Sequence, residues 1–495
     1  IGNFKEADIF QDIQTKGPYI NFFIDRKALA LNTINQILKQ KENYGKTNLG
    51  LGKKVLIEHT SINPNASPHV GRARNAIIGD SIVKILTFVG FKPEVHYYVN
   101  DVSKQVAMLV LAKAEKLKFE SMLKKYIEIA NKVKNSKTQE QKVFDLLFAF
   151  EHQDKKTISK FNKITKTCVK GQEKILSQMG IHYDFFDYES NYIEEAKNVL
   201  KQLQRTGKLF KDESGREVLN QEGTSVEKQM RAPFLVLTRS DGTGLYPLRD
   251  VAYTIYKSKI ADKNVIVLGE DQKLYFQQVK EALNLLNVKS PEVIHYSFVL
   301  ISEKGRSKKM ATRKGDVILL EDFLKKAIDK AKKEILKRKT KSDAKKVGVG
   351  AVKYAILKNS NNNIINFNLD DALSFEGDTG PYLLYSYARA SSILRKVKSK
   401  DKKQNSLQEL EPKEIDLIKK LSLFPEIIIK SYNSLNPSLI ANYSYQLAQI
   451  FNEFYHECPV IGDEKQDFRL NLVESFRIVL KNSLNLLGIE TLEKM

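Results

Sequence analysis

Two short segments of the chain combine residue types that bind phosphate groups. In the first, a turn rich in Pro and Ser runs from Asn63 to His69, Gly71 and Arg72, between a predicted strand and a predicted helix. The first turn of a helix presents unpaired N–H groups and a partial positive charge. His69 and Arg72 add hydrogen-bond donors, and Gly71 lets a ligand approach the backbone. The same residues also fit an ordinary turn in which His69 caps the helix, and spacing alone does not separate the two interpretations.

The second segment is a cationic run between two glycines. Six Lys or Arg side chains lie within the eleven residues 304–314, among them Lys309, Arg313 and Lys314, with Met310 between them. A mobile loop of this kind can close over a triphosphate and stabilise charge that develops in a transition state. Such a run is also typical of a solvated surface.

The elements around the first segment predict a parallel sheet. Val55–Ile57 is a short apolar run typical of a buried strand, and Val95–Val99 is a second. Between them, apolar residues recur with helical spacing, and Gly90 is placed to end that helix. They are Ile78, Ile82, Ile85 and Val89. A strand–helix–strand unit begins a doubly wound, Rossmann-type α/β sheet.

The remaining pattern predicts an insertion and a helical C-terminal region. Residues 103–180 have a lysine-rich helical pattern that interrupts the sheet. Further strands are expected at Phe234–Leu237, Val265–Gly269 and Phe298–Ile301. Beyond Leu319 the pattern is helical to the end of the chain, including a basic helix within Glu321–Lys346.

Composition narrows the functional classes. The chain has 495 residues with 81 Lys or Arg against 59 Asp or Glu, a formal net charge of +22. This surplus favours a nucleic-acid partner, although an anionic membrane surface or simple lysine enrichment would give the same composition. Two cysteines and seven scattered histidines do not form a metal-ligand pattern, so no metal site is expected. No signal peptide or apolar run of about 18 residues is visible, which predicts a cytoplasmic protein without a membrane span.

The two phosphate-binding segments resemble signatures of the class I aminoacyl-tRNA synthetases, and of the arginyl family in particular. His69–Arg72 stands where the class has its HIGH motif, and Lys309–Gly315 stands where it has KMSKS. Arg72 replaces the final histidine of HIGH, and Thr312 replaces the second lysine of KMSKS. Members without that lysine often carry another one just before HIGH, but Ala66 occupies that position here.

Three further segments carry the arginyl resemblance. Ser240–Ala252 and Gly269–Gln278 resemble two internal motifs of the family, with Tyr275 where histidine is usual, and Ser374–Arg389 resembles the start of its helical anticodon-binding domain. Asp12–Phe22 resembles the tail of an additional N-terminal domain. The resemblance implies an N-terminal remnant and linker at 1–48, a catalytic domain at 49–375 and an all-α anticodon-binding domain at 376–495.

The resemblance also assigns site residues. Glu189 and Asp250 fall where the family grips the guanidinium group of arginine, which needs carboxylates placed for bidentate pairing. Tyr246 adds a hydroxyl, Asn63 and Gln272 fall where the α-groups of the amino acid are held, and Glu58 is a weaker candidate. The implied catalytic residues are His69, Gly71, Arg72, Lys309, Met310, Arg313 and Lys314. The implied ATP site comprises six residues. The ATP-site residues are His69, Gly71, Gly269, Gln272, Lys309 and Met310. Without the resemblance, Asp250 fits a helix cap with Arg249 as its surface partner.

The implied function is the ATP-dependent ligation of L-arginine to tRNA(Arg) through an arginyl-adenylate, with Mg²⁺ as cofactor and the chain acting as a monomer. The basic helices within Glu321–Lys346 and Arg389–Lys403 are candidates for contact with the RNA backbone. Two alternatives stay open. One is a class I synthetase for another amino acid, and the other is an inactive paralogue that serves as an RNA-binding module.

Overall fold

A computed structural model describes residues 10–303, 306–308, 318–338, 340–397 and 409–495. The described residues form two compact units. The α/β unit comprises Asn48–Lys325 and Asn361–Asn368. The helical unit comprises the described parts of Ile1–Thr47, Lys326–Ser360 and Leu369–Met495.

The described residues form strands and helices that are numbered here in chain order. The strands are β1 (Phe10–Lys16), β2 (Tyr19–Ile24), β3 (Lys54–Glu58), β4 (Lys92–Val99), β5 (Phe185–Tyr188), β6 (Leu209–Lys211), β7 (Glu217–Asn220), β8 (Phe234–Val236), β9 (Lys263–Gly269), β10 (Glu292–Tyr296), β11 (Val299–Glu303), β12 (Arg306–Lys308) and β13 (Ile365–Phe367). The helices are α1 (Arg26–Gln40), α2 (Val70–Phe88), α3 (Lys104–Leu111), α4 (Phe119–Lys134), α5 (Lys137–Glu151), α6 (Lys155–Ser177), α7 (Ile193–Gln204), α8 (Tyr246–Ile260), α9 (Lys273–Leu285), α10 (Leu320–Lys337), α11 (Ala344–Leu357), α12 (Leu369–Ala372), α13 (Gly380–Lys396), α14 (Pro412–Ser422), α15 (Phe424–Ser434), α16 (Ser438–Glu457) and α17 (Gln466–Leu486).

The α/β unit is built on a parallel sheet of five strands in the order β10-β9-β3-β4-β5. The chain moves outward from β3 to β4 and β5 on one side and to β9 and β10 on the other, so the direction of winding reverses at β3. This confirms the predicted doubly wound sheet. In such sheets ligands bind outside the carboxyl ends of the strands, at the point of reversal.

Helix α2 is the crossover between β3 and β4, and its predicted core residues are buried. Ile82, Ile85 and Val89 have no exposed surface, and Ile78 has 2%. Gly90 follows the helix with a φ of +92°, in the region that glycine adopts without strain. Gly79 lets the helix pack on the end of β3, because a Cβ there would lie 2.3 Å from the ring of His59.

The helical insertion is also confirmed. Helices α3, α4, α5 and α6 lie between β4 and β5 and share one apolar core. Met122, Phe150, Phe161 and Cys168 lie in that core with exposed fractions of 3% or less. The long stretch between two neighbouring strands of the sheet is therefore a packed helical layer.

Two of the predicted strands belong to other sheets than expected. β8 covers most of Phe234–Leu237 but joins the antiparallel sheet β6-β7-β8, and β11 joins β12 and β13. The strands that instead complete the parallel sheet are β5 and β10. They are four and five residues long and mix polar with apolar residues, so they lack the apolar run that marks β3.

The region beyond Leu319 is mostly helical, with two differences from the prediction. β13 is a strand and pairs in parallel with β11. The basic helix expected within Glu321–Lys346 ends at Lys337, and α11 begins at Ala344 with Asp343 as its cap. The Asp343 carboxylate accepts from the backbone N–H of Lys345 at 2.9 Å.

The helical unit packs α13, α16 and α17 together, with α1 against α14 and α17. The rings of Phe451 and Phe476 stack with their centroids 3.7 Å apart. A buried ion pair joins Glu414 of α14 to Arg469 of α17 at 2.7 Å. Within the ranges that the structure describes, no helix is long and apolar enough to span a bilayer.

Candidate active site at the carboxyl edge of the sheet

The predicted site residues that the structure describes come from segments at the carboxyl edge of the parallel sheet. Glu58 ends β3 and Gly269 ends β9, while Glu189 begins the 3-10 turn that follows β5. Helix α8 holds Tyr246 at its first position and Asp250 about one turn later. This helix packs against β9, α9 and the 3-10 turn that follows β5. Lys309, Met310, Arg313 and Lys314 lie outside the described residues.

The chain turns sharply after β3 to form the loop that carries Asn63. Thr60 and Ser61 have φ values of +78° and +39°, an unusual conformation for residues with a Cβ and an outlier for a β-branched one. Asn75 of α2 accepts from the N–H of Thr60 at 2.5 Å, and Tyr183 shares a 2.7 Å hydrogen bond with its hydroxyl. Strained backbone of this kind persists where the surroundings over-determine it, and it clusters at functional sites.

Two fully buried polar residues hold the rest of that loop. The hydroxyl of Tyr97 bonds to the backbone of Ile62 and, at 2.8 Å, to Gln172 of the insertion. Gln172 donates to the carbonyl oxygens of Asn63 and Ala66, at 3.0 and 2.9 Å. The insertion therefore positions the Asn63 loop directly.

The HIGH-like segment lies at the N-terminus of α2. His69 is the N-cap residue, but its side chain makes no capping hydrogen bond, which removes the capping interpretation. The amide of Val70 donates to Ile318 at 3.1 Å, whereas that of Gly71 has no acceptor within the described ranges. Burial lowers the pKa of His69 to about 4, with a further contribution from Arg72, so the ring is neutral at pH 7. A free amide, a neutral imidazole and a guanidinium suit a phosphate group.

Glu189 is one of the two carboxylates predicted to bind a guanidinium, and it lies fully buried. Its Oε1 accepts from Nε of Arg249 at 2.5 Å, and Arg249 also contacts Glu151 at 3.0 Å. Burial raises the pKa of Glu189 to about 7, against the opposing charge of Arg249, and the charge of Asp250 raises it further. The buried position of Arg249 contradicts the alternative in which it is a surface partner of Asp250.

Asp250, the second carboxylate, is held by a tyrosine. The hydroxyl of Tyr275 donates to Oδ2 of Asp250, and the ring of Tyr275 packs 5.0 Å from that of Tyr246. Asp250 lies inside α8 rather than at its cap. Burial raises the pKa of Asp250 to about 6, and the hydrogen bond from Tyr275 opposes that shift.

Several buried polar atoms around these carboxylates have no partner among the described residues. They are Oε2 of Glu189, the hydroxyl of Tyr98 and Oδ2 of Asp101. Buried polar groups are nearly always hydrogen-bonded to protein, water or a ligand, so these atoms are available to a polar group that enters the site. The surrounding charge is negative, because five carboxylates face three cations. These are Glu58, Asp101, Glu151, Glu189 and Asp250 against Arg239, Arg249 and Lys257. The ligand that fits is a cation with several donors.

Glu58 resembles Glu189 in that a cation of the protein is already paired with it. Lys257 of α8, 2% exposed, forms an ion pair with the buried carboxylate of Glu58. The ammonium group of Lys257 also lies 4.3 Å from the ring centre of Tyr253. Oε2 of Glu189 is buried without a partner among the described residues, whereas neither oxygen of Glu58 is, so Glu58 is the weaker candidate for binding the ligand.

Comparison with known proteins identifies the family. Residues 33–369 match the model for "tRNA synthetases class I (R), catalytic domain", and residues 383–495 match the "DALR anticodon binding domain". The arginine–tRNA ligase of Methanocaldococcus jannaschii is 36% identical over 97% of this chain and 86% of its own length. The chain belongs to the arginine–tRNA ligase family. The predicted resemblance is thereby confirmed.

Other members of the family agree in extent and fold. The arginine–tRNA ligase of Archaeoglobus fulgidus is 36% identical, with 99% of this chain and 89% of the relative covered. The arginyl-tRNA synthetase structure from Thermus thermophilus has a TM-score of 0.82 and 24% identity, covering all of this chain and 90% of that one. Membership of the class I family implies the use of ATP. None of these comparisons supports an inactive paralogue or a synthetase for another amino acid.

The sequence analysis missed the residues that support the site. Gln172 follows Cys168 by four residues on the apolar face of α6, and a polar residue at a core position is a visible signal. Arg249 and Glu151 are far apart in the sequence, and their contact is not visible without the fold. Tyr275 was singled out only as a departure from the usual histidine.

Proposed function

We propose that the chain attaches L-arginine to tRNA(Arg) in two steps, with ATP consumed and an arginyl-adenylate formed between them. The observation that carries this proposal is the pair Glu189 and Asp250. Each carboxylate has one oxygen anchored by the protein, by Arg249 and Tyr275 respectively, and the second oxygen of each accepts no hydrogen bond from the residues that the structure describes. Two fixed acceptors in a buried, negatively charged pocket suit a guanidinium group.

The geometry favours arginine over lysine. A guanidinium is planar and presents five N–H donors in a rigid fork, so two fixed carboxylate oxygens can be satisfied at once. An ammonium is a compact point charge and would leave one of the buried acceptors unpaired. A buried charge without a partner costs several kcal/mol, which is the basis of selection.

In the first step the carboxylate of arginine attacks the α-phosphorus of ATP in line, and pyrophosphate leaves. The attacking group is already ionised at neutral pH, so the step depends on positioning and on electrostatic stabilisation. We assign the α-groups of arginine to Asn63 and Gln272, and the nucleotide to Gly269 and the first turn of α2. The free amide of Gly71, the neutral His69 ring and Arg72 then face the phosphates.

Lys309, Met310, Arg313 and Lys314 are assigned to the same step by sequence alone. We assign Mg²⁺ to the Mg–ATP substrate, held by phosphate oxygens and water. Among the residues that the structure describes, no three Asp, Glu, His or Cys side chains are grouped to bind a metal, so a resident metal site does not fit there.

In the second step a hydroxyl of the terminal ribose of tRNA attacks the activated carbonyl, and AMP leaves. The family resemblance implies the 2′-hydroxyl, and it implies that activation requires bound tRNA. We assign contact with the RNA backbone to the exposed lysines of α10. Arg389 of α13 is a weaker candidate, because it is half-buried and donates to Asn452 at 2.6 Å.

A charging assay tests the proposal. The protein, Mg–ATP and total tRNA are offered each of the twenty amino acids, with an Asp250→Ala variant in parallel. Charging with arginine alone, lost in the variant, is the expected result. Charging with another amino acid would reject the pocket assignment. Binding of tRNA without charging of any amino acid would reject catalysis by this chain.

A further inference from the structure

We propose that Tyr275 is a positioning residue for arginine selection, which acts by holding and orienting the carboxylate of Asp250. This inference rests on the proposed function, because it assumes that Asp250 contacts the guanidinium group. It concerns a residue that touches the carboxylate rather than the reacting atoms.

The contact joins two elements. Asp250 lies in the first turns of α8, and Tyr275 lies in the first turn of α9, which packs against α8. The Tyr275 hydroxyl donates to Oδ2, the only hydrogen bond that Asp250 makes through its side chain within the described ranges. The ring of Tyr275 is fixed in turn by the ring of Tyr246, 5.0 Å away at an angle of 51°. A rigid donor on a neighbouring helix therefore sets the rotation of the carboxylate.

The hydrogen bond has a directional consequence. With Oδ2 engaged by Tyr275, Oδ1 is the oxygen available to a ligand. Glu189 is arranged in the same manner, since Arg249 holds Oε1 and Oε2 has no described partner. The two anchors differ in charge, because Arg249 is cationic and Tyr275 is neutral. Tyr275 therefore fixes Asp250 without neutralising it, and the pocket keeps a net negative charge for the substrate.

The hydrogen bond also keeps Asp250 ionised. Charged and titratable groups face this carboxylate from four directions: Glu58 from β3, Tyr98 from β4, Glu189 from the turn after β5, and Tyr246, Arg249 and Lys257 from α8. Burial raises the pKa of Asp250 to about 6, and Tyr275 is the main influence that lowers it. Without this donor the carboxyl group would be largely protonated at pH 6, and a neutral carboxyl group binds a guanidinium poorly.

The test compares Tyr275→Phe with the wild type at two pH values. Phe keeps the ring that packs against Tyr246 and removes only the hydroxyl, so the variant is expected to fold, as a melting temperature checks. Charging assays with saturating tRNA and Mg–ATP give the KM for arginine at pH 6.0 and 8.5. We expect a KM about tenfold above the wild type at pH 6.0 and within about threefold at pH 8.5, with the KM for ATP unchanged.

A second variant separates this role from a structural one. Tyr253→Phe is the matched control, because Tyr253 donates to the carboxylate of Asp187 at 2.6 Å and its loss leaves Asp250 untouched. The ratio of its KM for arginine to that of the wild type is expected to be the same at pH 6.0 and pH 8.5.

Two outcomes would overturn the inference: a Tyr275→Phe protein with an unchanged KM for arginine, or an increase of equal size at both pH values. Each of these leaves arginine charging by the wild type intact, so the proposed function survives. Failure of the wild type to charge arginine would instead remove the proposed function and this inference together.

Discussion

Nε of Arg249 lies 2.5 Å from Oε1 of Glu189, with both side chains buried. The pair shows how the protein stabilises an acidic group inside its core. Arg249 is itself stabilised by Glu151 at 3.0 Å and by the carbonyl oxygen of Gly244 at 2.8 Å. A buried cation with several fixed partners is costly to move, so it holds Glu189 in one orientation. Oε2, which has no partner among the described residues, is then presented at a defined place in the pocket.

Replacing Glu189 by Gln tests this presentation. The amide removes the charge that faces the guanidinium and leaves Arg249 without one of its two carboxylates. Loss of one partner of a buried charge pair costs about 3–5 kcal/mol. We expect kcat/KM for arginine to fall by roughly 10²–10³-fold, measured by tRNA charging. Glu194→Gln, on the exposed surface of α7, is the matched control and should charge normally. A Glu189→Gln protein within tenfold of the wild type would contradict the assignment.

Removal of the charge of Asp250 is expected to stabilise the folded protein. The pKa of Asp250 is about 6 in the folded protein, compared with 3.8 in the unfolded chain. Its favourable contribution to the free energy of unfolding is therefore fully present below pH 3.8 and is lost as the pH rises through about 6. At pH 8 the ionised group costs on the order of 1–3 kcal/mol in the absence of substrate. Asp250→Asn should therefore melt at a higher temperature than the wild type at pH 8, while failing to charge arginine.

The control for that experiment is the same pair of melting temperatures measured at acid pH. At pH 3.5 the carboxyl group is protonated in the folded protein and half or more protonated in the unfolded chain, so the difference in melting temperature should shrink. A difference of the same size at pH 3.5 and pH 8 would show that the amide acts through packing rather than charge.

The pH dependence of arginine use follows from the same carboxylates. Glu189 and Asp250 have pKa values of about 7 and about 6, and a guanidinium requires both to be ionised. We expect kcat/KM for arginine to rise between pH 5.5 and about 7.5 and then to level off, with apparent values that belong to the coupled pair. His69 does not contribute to this profile, because burial keeps its pKa near 4.

His69→Ala separates phosphate stabilisation from arginine binding. Removal of a donor aimed at a phosphate should lower kcat by about 10²–10³-fold. The KM for arginine and the midpoint of the pH profile should stay unchanged, since His69 is neutral throughout this range. A midpoint that moves in the variant would show that the histidine, and not the carboxylate pair, titrates in the wild type.

The sequence was informative where local patterns decide structure. The helical spacing of Ile78, Ile82 and Ile85 predicted α2, and the apolar run Val55–Ile57 predicted the central strand that precedes it. These two elements also predict where the site lies, because doubly wound sheets bind ligands at the carboxyl ends of their strands. The residues assigned to binding came from family motifs, because neither Asp250 nor Glu189 has a distinctive local pattern.

The contacts that complete the site are non-local and escaped sequence reasoning. Arg249 contacts Glu151 across almost a hundred positions, and Gln172 reaches the Asn63 loop across more than a hundred. Neither spacing nor composition predicts such pairs. The edge strands β5 and β10 were missed for a different reason: each mixes polar with apolar residues and lacks the apolar run that marks β3.

The basic face of α10 gives the last prediction. Lys325, Lys326, Lys332 and Lys333 are exposed, fall within roughly 120° of the helix circumference, and form no ion pair with another described residue. If these side chains contact the RNA backbone, each contact releases bound counterions, and affinity falls steeply with salt.

Replacing all four of these lysines by Gln should weaken tRNA binding and reduce the slope of log K against log salt by about two to three. Replacement of all four by Arg retains the charge and is expected to keep the slope. The arginine pocket lies on other elements, so the KM for arginine at saturating tRNA should not change. Filter binding across 50–300 mM salt measures the slope, and a Gln variant with the wild-type slope would place the RNA contact elsewhere on the chain.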